Sequence, residues 1–476
     1  DWGYNTLFWH FCDDQGCRLR FPSRPELGSF NAWSADETRD FVEEAHNLGI
    51  QVIPEVETLG HTTFITGLDK YKHLRDGVEG GIYAAIAPCH PATRELIEDI
   101  VRDTAKIFDA PCLHIGMDEA GFGDHPHTRA VLENKTKAEI FAEHICWLHK
   151  LLESLGKRTV LWGDHLRPDQ QEDMSELDTE AIGSSIADTI PKDVLICDWY
   201  YRPTVKADRY DVFLERGFEV LGCPATSASG LIVHPSERNH QNIQRMIDLA
   251  DERREESVVG CVNTVWCSGR YLNGTVLYTE AIAAELMQNE NLPDNFGVEF
   301  VQKTFGAKDS ETVAEALSIL HRHGPMISPV AAAIPVCNEA WRAIDRDEAA
   351  HMREMEKAGE TAGRLLVRAE AGIERRHEFY SHLVLAARCF EHLGRGYEVL
   401  EPLRQWLQEQ KEKPDLRGVK GWLADTGELV KALSNSWDRQ RFAEDPAKFG
   451  TGKARCDYIL ERLYHAKSFI ESRIAE

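Results

Sequence analysis

The chain contains 476 residues, 42% of them hydrophobic and 28% charged, which is the composition of an ordinary globular protein. Its 54 Lys and Arg face 79 Asp and Glu, and the resulting formal charge of -25 disfavours nucleic acid and anionic membranes as partners. No run of about 18 apolar residues is present, so the sequence predicts no transmembrane helix.

The 12 cysteines are scattered, without the C-x-x-C pairs or the spacings of zinc fingers. Cys197, Cys223 and Cys261 lie inside apolar runs, where cysteine commonly behaves as a small buried apolar residue. We therefore interpret the cysteines as reduced thiols and expect a cytoplasmic protein that uses neither a metal nor another cofactor.

Short apolar strand candidates alternate with amphipathic helical stretches up to about residue 305. Ser34 and Glu37 form an S-x-x-E capping box at the start of a helix predicted over Ser34–Leu48. Regular alternation of this kind predicts a parallel sheet, because each parallel connection needs a crossover. The strand candidates are Asn5–Phe11, Gln51–Val56, Cys112–Met117, Thr159–Trp162, Val194–Tyr201, Glu219–Cys223 and Gly260–Trp266.

Two closures of such a sheet compete, an open doubly wound sheet and a (β/α)8 TIM barrel. No glycine-rich phosphate loop follows the first strand, which argues against a nucleotide-binding Rossmann sheet. Polar and aromatic residues follow nearly every strand, where a barrel assembles its active site. These residues are Asp13, Glu57, Asp118, Asp164, Tyr200 and Trp266. We predict an α/β TIM-barrel catalytic domain over residues 1–307, with its first strand missing or atypical because only seven candidates are counted.

Strand candidates stop after about residue 308, and long helical patterns take their place. Apolar residues recur on one helical face over Ala349–Arg375 and again over Tyr380–Leu403. The pattern predicts an α-helical C-terminal domain over residues 308–476, which we interpret as a structural or dimerising appendage. A homodimer formed through this domain is the corresponding hypothesis.

The segment Cys112–Glu119 reads Cys-Leu-His-Ile-Gly-Met-Asp-Glu and places two adjacent carboxylates at the end of a predicted strand. Side chains alternate along a strand, so Asp118 and Glu119 face one cavity only if the chain curls at the strand end. Two neighbouring carboxylates repel each other, which raises one pKa and leaves the other group ionised, as acid and anion. The pair alone is ambiguous, because Asp-Glu pairs are also common at helix starts.

Two further segments, in fixed order, strengthen this interpretation. Residues 5–16 read Asn-Thr-Leu-Phe-Trp-His-Phe-Cys-Asp-Asp-Gln-Gly, and residues 52–62 read Val-Ile-Pro-Glu-Val-Glu-Thr-Leu-Gly-His-Thr. With His-Ile-Gly-Met-Asp-Glu at 114–119, they resemble glycoside hydrolase family 20, the β-N-acetylhexosaminidases. The resemblance covers roughly residues 1–270. It implies a retaining exo-β-N-acetylhexosaminidase whose substrate is a carbohydrate ending in β-GlcNAc or β-GalNAc.

The resemblance also implies roles for four residues around the pair. Glu119 would be the general acid that protonates the leaving glycosidic oxygen and later activates water. Asp118 would accept the acetamido N–H and stabilise a cationic oxazolinium intermediate, in a substrate-assisted scheme that needs no enzyme nucleophile. Asp13 and His61 would hydrogen-bond around Glu119 and tune its affinity for the proton.

Later strands would supply the sugar pocket. Trp199 and Tyr200 resemble a Trp-Tyr pair of the family, in which the Tyr hydroxyl contacts the acetamido oxygen. Trp162 and Trp266 match positions where indoles wall the pocket, and aromatic faces suit the apolar face of a pyranose. Asp164 is expected either to bind sugar hydroxyls or to brace the pocket.

Several positions depart from the family pattern. Met117 replaces a Gly and is expected to place a side chain beside the catalytic pair. The remaining departures leave the acetamido chemistry in place but bear on the O4/O6 end of the pocket, so the preference for GlcNAc or GalNAc stays open. They are Cys17, Glu57, Leu59, Arg202 and Ser268.

Two alternative functions stay open at this point. A barrel glycosidase with an enzyme nucleophile would need a second carboxylate opposite Glu119, such as Glu57. A catalytically silent carbohydrate-binding barrel would have no need for an acid pair. The segment Gly123–His127, Gly-Asp-His-Pro-His, is interpreted as solvated or rim residues of a loop rather than as a metal site.

Overall fold

The computed structural model of the chain describes residues 2–474 apart from 78–84, 168–183, 228–235, 267–270, 290, 324–345, 410 and 441–466. Its central feature is a seven-stranded parallel sheet in the order β1-β4-β7-β8-β9-β10-β12. These strands are β1 (Thr6–His10), β4 (Gln51–Glu55), β7 (Cys112–His114), β8 (Arg158–Trp162), β9 (Leu195–Trp199), β10 (Glu219–Cys223) and β12 (Val258–Cys261). All seven predicted strands are present, and every pairing within the sheet is parallel, as the alternation predicted.

Short strands flank this sheet and shape the loops at its carboxyl end. They are β2 (Cys12–Asp13), β3 (Gly16–Cys17), β5 (Arg75–Asp76), β6 (Ala85–Ile86), β11 (Ala225–Ser227) and β13 (Thr264–Val265). β2 pairs with β3 and β5 with β6, both antiparallel, while β11 and β13 form a parallel pair above β10 and β12.

Alternate side chains of the curled sheet build two apolar layers. Inward-facing residues form a barrel interior that includes Ile53, Val160, Trp162, Leu195, Cys197 and Cys223. Outward-facing residues pack under the surrounding helices and include Val52, Leu161, Ile196 and Val220. This pattern is the one that parallel strands covered on both faces require.

The sheet does not close among the described residues, because β1 pairs only with β4 and β12 only with β10. A cavity of about 1070 Å³ lies between these two edges. Leu7 and Val259 line it with exposed fractions of 39% and 50%, and its inner end reaches Trp162 and Trp266. The structure thus has the seven strands counted from the sequence, with an open position where a barrel has an eighth.

Helices cover the outside of the sheet and form the C-terminal region. Those before residue 290 are α1 (Ala35–Asn47), α2 (Thr63–Thr66), α3 (Pro91–Ile107), α4 (Pro126–Leu132), α5 (Lys137–Ser154), α6 (Asp211–Leu214), α7 (Glu237–Glu252) and α8 (Asn273–Gln288). Those after it are α9 (Phe296–Phe305), α10 (Ser310–Arg322), α11 (Arg346–Ala369), α12 (His377–Glu409) and α13 (Leu416–Gln440). Among the described residues, no helix is both long and apolar enough to cross a membrane.

Local sequence signals fix the helix starts. The predicted capping box is confirmed: the Ser34 hydroxyl accepts the Glu37 N–H at 3.2 Å, and the Glu37 carboxylate accepts the Ser34 N–H at 2.8 Å. Thr136 and Glu139 form a second box at the start of α5. Each box satisfies backbone N–H groups that have no partner inside the helix.

The two long helices predicted after residue 308 are confirmed as α11 and α12. They cross so closely that a Cβ at Gly359 would lie 2.3 Å from the backbone nitrogen of Glu391. Residues of α8 and α9 share one apolar cluster with α11, α12 and α13. The cluster therefore spans the predicted boundary between 307 and 308, and the division into domains at that point stays a prediction.

Candidate active site

The chain curls at the end of β7, as two carboxylates facing one cavity would require. β7 ends at His114, earlier than predicted, because Gly116, Met117 and Glu119 have φ values of 70°, 88° and 46°. Left-handed backbone at residues other than glycine costs roughly 1–2 kcal/mol each and is characteristic of functional sites. The predicted curl is thus present in the backbone at a cost in strain, and contacts from neighbouring strands must hold it.

The segment after β8 supplies those contacts. The Glu119 N–H donates to Oδ2 of Asp164 at 3.0 Å, and the Ala120 N–H donates to Nε2 of His165 at 2.8 Å. Both side chains are buried. Asp164 therefore holds the turn after β7 in place, and its role towards a sugar stays a prediction. His165 was missed, although its position beside Asp164 after a barrel strand was a usable signal.

His61 links the acid pair to the first motif. Its Nε2 lies 3.2 Å from Oε2 of Glu119 and 3.6 Å from Oδ2 of Asp118. Its Nδ1 lies 3.0 Å from Oδ2 of Asp14 and 3.3 Å from Oδ1 of Asp13. The structure thus brings together four of the predicted residues around one imidazole, and adds Asp14, which the sequence analysis overlooked.

Glycine makes this approach sterically feasible. A Cβ at Gly60 would lie 2.1 Å from the carbonyl oxygen of Asp118, so no larger residue fits between the two loops. The next residue, His61, has a φ of 47°. The Gly-His step in the second motif therefore sets the distance between the imidazole and the acid pair.

Burial and charge set the protonation of the pair. Burial raises the pKa of Asp118 to about 7, assisted by the carboxylates of Asp164 and Glu119 and opposed by His61. Burial lowers the pKa of His61, but Asp118 and Asp13 outweigh it and raise that pKa well above its usual value. The sequence predicted one raised pKa in the pair, with Asp118 as the anion. The structure instead places a raised pKa on Asp118, because that carboxyl is enclosed.

Glu57 is buried close to the acid pair. The side chain is fully buried, and a Cβ at Gly116 would lie 2.1 Å from its carboxylate. Neither of its carboxylate oxygens has a hydrogen-bond partner among the described residues. Burial, followed by the charge of Asp118, raises the pKa of Glu57 well above its usual value.

A second carboxylate forms the floor of the cavity. The indole N–H of Trp162 donates to Oε1 of Glu55 at 2.6 Å, and Nδ1 of His10 lies 3.0 Å from the same oxygen. Burial raises the pKa of Glu55, but His10 and His114 outweigh it and lower the pKa to about 2. Glu55 is therefore a fixed anion that orients Trp162. Neither Glu55 nor His10 was predicted from the sequence to have a role, although both lie in the motifs at residues 5–16 and 52–62.

Two of the three predicted indoles, Trp162 and Trp266, line the cavity, and Trp199 lies next to them. The rings of Trp162 and Trp266 meet edge to face with centroids 5.6 Å apart. The indole N–H of Trp266 donates to the hydroxyl of Tyr201 at 2.7 Å, and Tyr201 stacks on Trp199 at 5.0 Å. This set forms a continuous aromatic wall beside Glu55 and the acid pair.

The structure does not bring Tyr200 to this wall. The Tyr200 ring packs in the outer layer, where the Arg209 guanidinium lies 4.4 Å from its centroid. Because side chains alternate beyond the end of β9, Trp199 and Tyr201 face inward and Tyr200 faces outward. The site assignment made for Tyr200 is therefore corrected in favour of Tyr201, whose pKa is raised by burial and, to a smaller extent, by Cys223 and Asp118.

Among the residues that the structure describes, two groups of side chains have the donor types and spacing that could hold a metal ion. His10, Glu55 and Glu57 form one group, and Asp13, Asp14 and His61 form the other, each with ligand atoms within 4.8 Å of one another. Both groups belong to the network already described. Hydrogen bonds and ion pairs link the members of both groups except the Glu57 carboxylate, which has no hydrogen-bond partner among the described residues.

Comparison with known proteins decides the family. The model of the glycosyl hydrolase family 20 catalytic domain matches residues 3–265. The chain belongs to this family. Curated relatives include a β-hexosaminidase from Vibrio furnissii, 29% identical over 196 residues, which cover 33% of this chain and 32% of that relative. Another is a β-N-acetylhexosaminidase from Cellulomonas fimi, 27% identical, with 33% of each chain covered.

The matched part of this family 20 chain spans about a third of the length of these curated relatives. Among solved structures, a family 20 exo-β-N-acetylglucosaminidase from Vibrio harveyi in complex with N-acetylglucosamine matches with 19% identity and a TM-score of 0.49. That match covers 68% of this chain and 55% of the other.

The departures from the family 20 pattern are mostly absorbed by the core. Met117 is fully buried in the outer layer, so the expectation that its side chain lies beside the catalytic pair is wrong. The left-handed turn at Gly116 and Met117 directs it there, and its sulfur accepts the Thr58 hydroxyl at 3.5 Å. Leu59 and Cys17 are also fully buried in that layer. Ser268 lies outside the described residues.

Proposed function

We propose that this family 20 chain is a retaining exo-β-N-acetylhexosaminidase that removes terminal β-GlcNAc or β-GalNAc by substrate-assisted catalysis. One observation carries the proposal: a single imidazole, His61, lies within 3.2 Å of Glu119 and 3.6 Å of Asp118. A cation shared by an acid pair can stabilise one carboxylate as an anion while the other exchanges its proton.

In the proposed first step, Glu119 donates its proton to the glycosidic oxygen as the bond between that oxygen and C1 breaks. The acetamido carbonyl oxygen forms a bond to C1 from the opposite face, which gives a cyclic oxazolinium ion and releases the alcohol. Glu119, now a carboxylate, then removes a proton from water as the water attacks C1 and the oxazolinium ring opens. Two inversions leave the configuration of C1 retained.

Asp118 would act on the acetamido group. Its buried Oδ1 has no hydrogen-bond partner among the described residues, so it is available to accept the acetamido N–H. The positive charge that develops on the oxazolinium ion favours the ionised form of a nearby carboxyl. A carboxyl with a pKa of about 7 in the free protein would therefore become a firm anion as the reaction proceeds.

The aromatic wall would hold the sugar and the acetamido methyl. Tyr201 is proposed to donate its hydroxyl hydrogen to the acetamido carbonyl oxygen, because its oxygen is already fixed by the Trp266 N–H at 2.7 Å. The faces of Trp162 and Trp199 suit the apolar side of a pyranose and exclude water from the reacting bond.

The competing scheme with an enzyme nucleophile finds less support in the geometry. Direct attack needs a carboxylate on the far side of the sugar, about 5 Å from the acid in a retaining enzyme. Glu57 is fully buried, and its carboxylate packs against Gly116. Participation by the substrate requires no such residue.

The reaction is tested with p-nitrophenyl β-GlcNAc, β-GalNAc, β-glucoside and β-galactoside. We expect cleavage of the two acetamido sugars alone, and a fall in kcat of about 10²–10⁴-fold in Glu119→Gln. Glu133→Gln, at an exposed position of the same loop region, is the matched control and should keep wild-type rates. Cleavage of the plain glycosides would contradict participation by the acetamido group. Silence of folded protein on all four would contradict the proposed activity.

The intermediate is tested separately with a thiazoline mimic of the GlcNAc oxazoline. Mimics of this kind bind about 10²-fold or more tighter than substrate when the site is complementary to the transition state. We expect tight binding to the wild type, weaker binding to Asp118→Asn, and no change in the exposed control Asp109→Asn. Equal affinity of the mimic and GlcNAc for the wild type would favour an enzyme nucleophile.

A further inference from the structure

Four histidines from three loops meet at the rim of the carboxyl end of the sheet. His73 follows α2, His90 precedes α3, and His125 and His127 follow the catalytic turn after β7. The ring of His90 lies 5.7 Å from that of His73, 5.5 Å from that of His125 and 4.5 Å from that of His127, between centroids. His125 and His127 stack at 5.3 Å.

These spacings match those of imidazoles around a divalent metal ion. Zinc binds imidazole nitrogen at about 2.1 Å in tetrahedral geometry, which places neighbouring ring centroids about 5 Å apart. Among the described residues, the ring nitrogens of this cluster do not yet share one point, because the His90 ring meets the others edge to face. Binding therefore requires the imidazoles to rotate about their side-chain torsions. His73 and His127 are exposed, which permits this rotation.

The hydrogen bonds of the rings indicate which of them would bind. No hydrogen bond to the His73 or His127 ring is found among the described residues, so both can offer a lone pair. His90 accepts the Ala92 N–H through Nδ1 at 3.1 Å, which coordination would sacrifice. His125 uses both nitrogens, accepting the His127 N–H through Nδ1 and contacting the His73 carbonyl through Nε2 at 3.0 Å.

We propose that His73, His90 and His127 form a binding site for a divalent transition-metal ion such as Zn²⁺, with His125 as the residue that positions two of them. His90 is the central ligand, since its ring contacts both His73 and His127. Three metal–imidazole bonds outweigh the single capping hydrogen bond that His90 gives up. Borderline-soft cations such as Zn²⁺ and Ni²⁺ prefer imidazole, whereas Mg²⁺ and Ca²⁺ prefer oxygen.

The site would join the two loops that carry the catalytic network. Asp76, three residues after His73, already accepts the N–H groups of Gly123, Asp124 and His125 at 2.6–2.9 Å through Oδ1. A metal held by His73 and His127 would add a second link between the same two segments. One segment continues from His61 and the other from the Asp118–Glu119 turn. The ion would thus stabilise the loops without touching the reacting sugar.

The direct test is to strip the protein of metal and titrate it with metal ions. Calorimetry measures the binding of Zn²⁺, and visible absorption measures the binding of Co²⁺. We expect one equivalent to bind and an absorption pattern of tetrahedral nitrogen coordination. The dissociation constant should rise at least about tenfold in His90→Asn and in His127→Gln. His90→Asn keeps an acceptor for the Ala92 N–H, because asparagine is a good N-cap. His377→Asn, at an exposed histidine remote in sequence, is the control.

A further variant separates this site from the metal-capable groups of the catalytic cavity. His61→Asn removes a ligand from the group formed with Asp13 and Asp14 and should leave Zn²⁺ affinity unchanged. The melting temperature should rise with Zn²⁺ in the wild type and in His61→Asn, but not in His90→Asn. The proposal is overturned if the wild type binds no Zn²⁺, or if affinity is lost in His61→Asn and kept in His90→Asn. Neither readout depends on hydrolysis.

Discussion

The turn after β7 and the crossing of α11 with α12 both depend on a glycine that permits close approach. The close approach has a different consequence in each place. At Gly116 an added Cβ would lie 2.1 Å from the Glu57 carboxylate, and at Gly359 it would lie 2.3 Å from the Glu391 backbone. In the helices the close approach gains apolar contact between two regular elements. At the turn it presses the buried Glu57 carboxyl, which has no hydrogen-bond partner among the described residues, against backbone with a φ of 70°. The first arrangement stabilises the fold, and the second places a buried carboxyl of raised pKa beside Asp118.

The largest expected effect separates these two uses of glycine. Gly116→Ala should lower kcat/KM by about 10²-fold, because a displacement of about 1 Å at reacting groups has that consequence. It should also lower the free energy of unfolding by about 1–3 kcal/mol through overpacking. Gly359→Ala should lower the free energy of unfolding by a similar amount and leave kcat/KM unchanged. Urea titrations and kinetics on β-GlcNAc substrate measure both quantities.

The distinction between the two regions would be wrong if Gly116→Ala lost as much stability as Gly359→Ala but kept wild-type kcat/KM. That result would mean that Glu57 can move without disturbing Asp118. A loss of kcat/KM in folded Gly359→Ala would also contradict the distinction, because it would show that the helix crossing is coupled to the site.

The next effect concerns two neighbouring tyrosines on opposite faces of one strand extension. Tyr201→Phe should lower kcat by about 10²-fold, because the acetamido carbonyl oxygen loses the donor that would position it for attack on C1. Tyr200→Phe is the matched control and should keep wild-type kcat, because its ring packs beside Arg209 in the outer layer. Steady-state kinetics of the two variants decide between them, and a loss confined to Tyr200→Phe would restore the assignment made from sequence.

Regular elements were predictable from the sequence because their signals are periodic or local. The capping box at Ser34 and the seven apolar strands depend on spacing alone, and all were confirmed. The acid pair and His61 were predictable because the motifs carry them. Tyr200 and Met117 were placed wrongly because both lie just beyond a strand end. There the alternation of side chains is set by backbone turns that the sequence does not reveal.

The remaining site residues were hidden for a different reason. Asp14, Glu55 and His165 act through contacts between separate strand ends, such as the bond of His165 to the Ala120 N–H. A motif shows that such residues exist but not which partner each one meets. The raised pKa of Asp118 likewise depends on burial, which only the assembled barrel determines.

The pH dependence of kcat/KM tests whether burial raises the pKa of Asp118, and the expected effect is of intermediate size. In the proposed mechanism Asp118 must be ionised to stabilise the cationic oxazolinium ion, and its pKa in the free protein is about 7. Protonation below that value removes the stabilising negative charge, so kcat/KM should fall about tenfold for each pH unit below the pKa. The profile of Asp118→Asn should lack this limb. A wild-type profile that stays flat down to pH 5 would show that Asp118 is ionised more easily than its burial implies.

The smallest effect comes from Asp164, which acts on the pair in two separable ways. Asn can still accept the Glu119 N–H through its carbonyl, so Asp164→Asn should preserve the turn. After burial, the Asp164 charge is the largest influence that raises the pKa of Asp118, so its removal should move the acidic limb to lower pH. Asp164→Ala also loses the 3.0 Å bond to Glu119 and should lower kcat as well. If both variants shift the acidic limb but neither lowers kcat, the bond from Asp164 is not needed to hold the left-handed turn. The contact of His165 with the Ala120 N–H would then be sufficient to hold it.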